Sequence, residues 1–518
     1  MRTKHIRIDE LPKTFRDAVM ITRDLGIRYL WIDSLCILQD STEDWEREAA
    51  KMATIYEQCY LMIAADESKS CHTGCFPPLS SHWQRSYCLP CLGPYGRSSK
   101  VYFRLTNLCQ DEQGEICHRL YDSQENFAPR PLDTRGWTLQ ERLLAPRIIH
   151  FGRFEVGWEC AESRACECQL VQTSSDQQSR FKAQFLNIPQ GAAYTEDSRF
   201  RLRPAPASQA AAPEDSRYKS VLRHILQETA PTEDTNRAIK RRFIWINVIR
   251  EFTRRQLTRS ADSLIALSGL ASRMSPTAES DYICGIWREN LIQYLLWKPD
   301  YDYIRSSNLR NIPRRHEMYY APSWSWASII GPVEYAGPMT WFGGPYPIDK
   351  GEMLWQANDG SVILEMLDAH SVQLGPNPFG YPKSATLTVR GYMAPASFQG
   401  KKKALPAQSS ENGGVLVSTT TSATNESPAS ADFEPDVPNE RAEVSLGDLL
   451  YLLFVKESGD SWEGASSKTS SGYGDGLVLR PVDGENSTYN RVGTFRYQGA
   501  ALCKEWRMVR KECTLQLV

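Results

Sequence analysis

The sequence predicts an α/β fold for the N-terminal part of the chain, with a parallel sheet, then a helical middle and a β-rich C-terminal region. Three observations carry this. Two short, near-continuous apolar runs, Ile27–Ile32 (IRYLWI) and Tyr60–Ala65 (YLMIAA), each follow a stretch of helical apolar spacing. Strands that are apolar along both faces belong to parallel sheets covered on both sides. From about residue 355 the texture changes to short apolar runs broken by polar and Gly/Pro-rich segments.

The elements follow in order. Leu11, Phe15, Val19 and Thr22 have helical spacing, Pro12 suits a first helical turn, and Gly26 can end the helix. Ile27–Ile32 then reads as a strand that Asp33 and Ser34 terminate. A second helix opens near Ser41 and Thr42, with Glu43 and Asp44 complementing its positive end. Trp45, Ala49, Met52 and Tyr56 mark its buried face, and the strand Tyr60–Ala65 ends at Asp66. A further helix is expected from Asp133 or Thr134 to Leu144, stopped by Pro146, with strands at Arg147–Phe151 and Glu155–Glu159.

The expected organisation is a domain over residues 1–168, a polar insertion over 169–216, a helical region over 217–354 and a β-rich region over 355–518. In the third, Ile239, Phe243, Ile246, Ile249, Thr253 and Leu257 keep helical spacing. In the fourth, strands are expected at Val362–Leu367, Ala385–Tyr392, Asp448–Val455, Leu477–Pro481, Gly493–Tyr497 and Thr514–Val518. Residues 400–442 are rich in Ser, Thr, Pro, Asn and Glu, and the composition predicts a disordered loop there.

Composition narrows the function classes. The 60 basic and 62 acidic residues nearly cancel, which argues against nucleic-acid binding through bulk charge. No run reaches the ~18 apolar residues of a membrane span, and the first residues lack the apolar core of a secretory signal. The 14 cysteines form no compact disulfide pattern, which fits a reducing compartment and predicts a cytoplasmic location.

Several blocks carry a resemblance. DAVMITRDLGIRYLWIDSLCILQDSTEDWEREAAKMATIYEQCYLMIAA resembles the core of the fungal heterokaryon-incompatibility (HET) domain, and RGWTLQERLLAPRIIHFG with the later WEC resembles its second signature. RRQLTRSADSLIALSGLA, YICGIWRENLIQYLLW, APSWSWASI and GLVLRPVDGENSTYNRVGTFRY are similar to recurring segments of HET-containing proteins. The family's usual opening, Y-x-x-L-S-Y-x-W-G, is missing, so the resemblance implies an N-terminally shortened domain. It also implies a remote likeness to the flavodoxin-like TIR fold, and through it NAD as a candidate substrate. No other cofactor is implied.

Candidate sites follow from the fold expected. Ligands of parallel sheets bind beyond the carboxyl ends of the strands. Asp33, Ser34 and Asp66 fall there, with Cys36, Gln39 and Asp40 on the adjoining loop. The bland alternative is that Asp33 caps loop amides and Cys36 is a core residue. Trp137, Gln140, Glu141 and Leu144 share a helix face, so Glu141 beside a tryptophan is a candidate acid/base. Its alternative is an ion pair with Arg135, Arg142 or Arg147. Cys71, Cys75, Cys88 and Cys91 have a spacing that zinc could use, although no metal is expected. The arginine-rich stretch 236–259 is expected to pack against its own domain rather than on a membrane, and Trp324 and Trp326 to be core.

The resemblance implies a protein of self/non-self recognition and programmed cell death, acting by association with protein partners or itself, or by NAD cleavage. Two other classes remain open: a HET-scaffold enzyme or accessory protein of fungal secondary metabolism, and a degenerate, non-catalytic interaction protein.

Overall fold

The computed structural model describes residues 6–38, 40–76, 87–92, 98–103, 108–110, 116–118, 130–152, 156–161, 164–166, 182, 185, 233–275, 282–289, 291–307, 312–335, 361–375, 377–399, 414–419, 430–437, 449–457, 473–482 and 487–518. They divide into two units. The first comprises residues 1–188, 255–257 and 340–346, and the second the remainder.

The first unit begins with helix α1 (Lys13–Asp24), with Pro12 at its N-cap. Gly26 lies at φ +71°, and the amides of Gly26 and Ile27 bond back to the carbonyls of Arg23 and Thr22. This paired closure is the common glycine-ended helix terminus. Ile27–Ile32 does not become a strand. Tyr29 is 82% exposed, and among the described residues no ladder hydrogen bond reaches this segment. An apolar run forms a strand only where a partner supplies that ladder. Asp33 instead opens a single helical turn, α2 (Asp33–Cys36).

Helix α3 (Thr42–Gln58) starts as its sequence suggests: the Ser41 side chain accepts from the Asp44 amide at 3.2 Å. Strand β1 (Met62–Ala64) follows, shorter than the apolar run around it. Two small hairpins pair β2 (Tyr87–Leu92) with β3 (Ser98–Phe103) and β4 (Leu108–Gln110) with β5 (Ile116–His118). Helix α4 (Trp137–Leu144) starts at Gly136, a turn later than Asp133 or Thr134, because residues 131–134 form turns. Strands β6 (Arg147–Phe151), β7 (Val156–Cys160) and β8 (Arg164–Cys166) complete the sheet.

The sheet order is β1-β6-β7-β8, and only β1–β6 is parallel. The expected parallel sheet is therefore a mixed one: the short β6–β7 connection can only join antiparallel neighbours. Met62, Ala64, Ala145 and Ile148 form a buried cluster, with Tyr56, Cys59 and Leu132 packed on it.

The second unit holds the helix Glu233–Thr253, in which Ile244, Trp245, Val248 and Ile249 are wholly buried. Two of its arginines turn inward, and Arg254 just beyond it is paired. Arg242 and Arg250 are buried, and Arg254 meets Asp300 at 2.8 Å. The middle region is less helical than expected, since two-stranded ladders such as Trp297–Pro299 with Val333–Tyr335 lie between its helices. Trp324 and Trp326 are core residues.

The C-terminal strands form one nine-stranded sheet. Within it Pro382–Phe398, Leu449–Glu457, Tyr473–Pro481, Thr488–Gln498, Ser430–Pro435 and Gly414–Ser418 pair successively, and the last returns to the first. This is a closed six-stranded ring, with phenylalanine and leucine side chains and Trp506 of the helix Ala500–Val509 in its core cluster. Two of those strands lie inside 400–442, which corrects the expectation of a disordered loop. Leu416, Ala431 and Phe433 are buried, and a few apolar residues at alternate positions suffice when a ring supplies partners on both edges. Residues 169–181, 183–184 and 186–216, of the expected insertion, lie outside the described residues.

Candidate functional site

Helix α4 presents Trp137, Gln140 and Glu141. Gln140 is buried, as is Leu144, and they lock the helix to the core, while Trp137 and Glu141 are half-buried. α3 contributes Tyr56, whose phenol bears on the Glu141 carboxyl and works to lower its proton affinity. Trp31 meets the Tyr56 ring edge-on, with centroids 5.7 Å apart. Asp33 sits near enough for its charge to act on both Glu141 and Tyr56.

The electrostatics of this group are uneven. Burial and the Asp33 carboxylate push Glu141 up to about 7, against the Tyr56 phenol and the positive charges of Arg135 and Arg255. Burial, Glu141 and Asp33 together push the Tyr56 phenol well above its ordinary range, so it stays protonated and remains a donor. A carboxyl that titrates near neutrality beside a fixed hydroxyl donor can take up or release a proton at working pH. The ion-pair alternative is thus only partly met. Arg142 is committed to Glu159 at 2.9 Å, and Arg147 to the Tyr60 carbonyl at 3.1 Å.

The remaining sequence candidates divide. Ser34, Cys36 and Asp40 are exposed, and the Ser34 amide donates to Asp33 Oδ1 at 2.6 Å. Gln39 lies outside the described residues. Asp66 is buried in a second cluster, which the sequence reading missed. His150 Nδ1 is 3.0 Å from Asp66 Oδ2, and its Nε2 is 3.2 Å from Glu159 Oε2. Arg130 bridges Asp66 at 2.6 Å and Asp133 at 2.9 Å. Burial alone would raise Asp133, but Arg130, Arg142 and Arg255 outweigh it and hold the carboxyl down to about 2. The alternation of β6 and β7 was a usable signal, since it places His150 and Glu159 on the buried face.

Cys75 is buried against α1, its amide donating to Asp17 at 2.9 Å, and burial pushes its thiol up to about 11. Cys71 is half-buried and Cys88 exposed, while the Cys91 side chain lies outside the described residues. Among the described residues no group of three or more His, Cys, Asp or Glu is placed to hold a metal ion. No described helix is long and apolar enough to cross a membrane.

The first unit is thus an α/β unit with a mixed sheet, in which Asp33, Tyr56, Arg135 and Arg255 bear on the Glu141 carboxyl. Residues 1–141 match the family described as Heterokaryon incompatibility protein (HET), a similarity consistent with a HET domain over that stretch, and the function it suggests is of the heterokaryon-incompatibility type. Asp33, Tyr56, Arg135 and Glu141 all fall within the matched stretch, and Arg255 falls outside it. No curated protein matches the chain, and no solved structure matches it.

Proposed function

We propose that the chain is an incompatibility-type protein of self/non-self recognition and cell death, whose first unit acts through acid/base chemistry at Glu141. The convergence of Glu141, Tyr56 and Asp33 in one half-open group carries this reading. Glu141 is the proton-transferring residue, Tyr56 orients it, and Asp33 raises its proton affinity. Trp31 and Trp137 offer aromatic faces, and Arg135 and Arg255 offer positive charge, a combination suited to a nucleotide with a planar base and phosphates. NAD is therefore the substrate to test first.

The test is forced expression in a fungal host with NAD levels followed. The wild-type chain is expected to arrest growth and deplete NAD, and Glu141→Gln at equal protein level to do neither. Arrest without NAD loss would leave the cell-death role and remove NAD cleavage. Normal growth with abundant wild-type protein would remove both.

A further inference from the structure

The segment Arg255–Leu257 follows the long helix Glu233–Thr253 in sequence yet belongs to the first unit. It lies as a strap along the entry to α4. The Gln256 amide donates to the Thr134 carbonyl at 2.6 Å, and the Gly136 amide donates to the Gln256 carbonyl at 2.7 Å. Arg135 and Gln256 thereby form a parallel bridge. Arg255 Nη1 donates to Thr138 Oγ1 at 3.0 Å.

Each bond addresses a group that a helix start leaves open. The first amides of a helix have no partner within it, and α4 has no side-chain cap at Gly136. The strap satisfies the Gly136 amide from 120 residues away in sequence, and Arg255 grips the second residue of the helix. Glu141 is three residues beyond Thr138, one turn along the same helix. A shift of the strap therefore moves the Glu141 carboxyl relative to Tyr56 and Asp33, which come from other elements.

We infer that Arg255 is a positioning residue for Glu141: it anchors the first turn of α4 through Thr138 and supplies positive charge to the carboxyl group. Arg255 in this role deepens the proposed function and rests on the reading that the Glu141 site does acid/base work. Charges that bear on Glu141 besides Arg255 are Asp33 and Arg135, with the neutral phenol of Tyr56. A guanidinium suits the role because it stays charged while donating in two directions.

The experiment is a pH titration of the full chain labelled with carboxyl-¹³C glutamate, with Glu141→Gln assigning the Glu141 signal. Arg255→Gln is expected to make Glu141 bind its proton at least about threefold more tightly. Arg255→Lys should fall between the wild type and Arg255→Gln, because it keeps the charge but not the reach to Thr138. An unmoved Glu141 signal in folded Arg255→Gln would overturn the inference, and so would Arg255→Lys shifting as far as Arg255→Gln. Should Arg255→Gln not fold, Arg255→Lys decides alone: a shift in the same direction supports the inference and no shift overturns it. This readout is independent of catalysis. A shifted titration with no NAD loss and no growth arrest in the wild type would sustain the positioning role while removing the proposed function.

Discussion

His150 and Asp66 stand 3.0 Å apart, Nδ1 to Oδ2, in the buried interior of the first unit. The same ring reaches Glu159 through Nε2 at 3.2 Å, so one imidazole ties the end of β1 to both β6 and β7. A neutral imidazole has one N–H and can donate to only one of the two carboxylates. Arg130, Arg142 and Lys182 complete the cluster, at 2.6, 2.9 and 3.7 Å from their carboxylates.

Replacing His150 by leucine should therefore destabilise the chain by about 3–5 kcal/mol, since one buried carboxylate loses its imidazole donor and the other its ring contact. Urea unfolding followed by tryptophan fluorescence measures it. A loss below about 1 kcal/mol would show that the three cations hold the carboxylates without the ring.

Glu141 should give stability a distinct pH dependence. Its folded-state affinity for a proton lies above the ordinary glutamate value, at about 7. The folded state then binds more protons than the unfolded state between about pH 4.5 and 7, so stability falls as pH rises through that window. Glu141→Gln should remove this slope and leave the variant more stable at pH 8, by on the order of 2 kcal/mol. Thermal unfolding of both proteins from pH 4.5 to 8 checks it, and equal slopes would contradict the burial assigned to Glu141. Asp133 acts with the opposite sign, because its carboxyl is held at about 2 and its contribution is lost only as pH falls through that value.

Deleting residues 403–440 should cost the C-terminal ring its closure. The deletion removes Gly414–Ser418 and Ser430–Pro435, which pair with each other and bridge Pro382–Phe398 to Thr488–Gln498. A large fall in soluble yield is the expected outcome, and an unchanged melting temperature would show that the ring closes without them. The gentler Phe433→Ala should cost about 3–5 kcal/mol, as for other buried phenylalanines.

Arg491 should be among the least replaceable residues of the second unit. It is fully buried, pairs with Asp436 at 2.7 Å, donates to the Leu295 and Trp297 carbonyls, and lies 3.6 Å over the Trp297 ring. Arg491→Met would leave Asp436 paired with Arg315 alone and take a donor from each of two carbonyls, with an expected loss of at least about 3 kcal/mol. Chemical denaturation decides it. A folded variant of equal stability would mean that Arg315 compensates the carboxylate unaided.

Local chemistry by itself determined several features of this protein. The Gly26 helix stop, the Ser41 cap and the hairpin strands after Pro146 were legible because each depends on residues close in sequence. Glu141 was legible as a candidate by residue type and helical spacing, and Asp33 as the residue closing an apolar run that forms no strand, although nothing local placed Tyr56 beside them. Whether Ile27–Ile32 pairs, how β1 runs against β6, and that strands form within 400–442 were decided by tertiary structure. A strand exists through a distant partner, so its own composition cannot fix it. The same holds for His150 and Arg255. Their meaning comes from Asp66, 84 residues away, and Thr138, 117 residues away, and only the folded chain brings such groups within hydrogen-bonding distance.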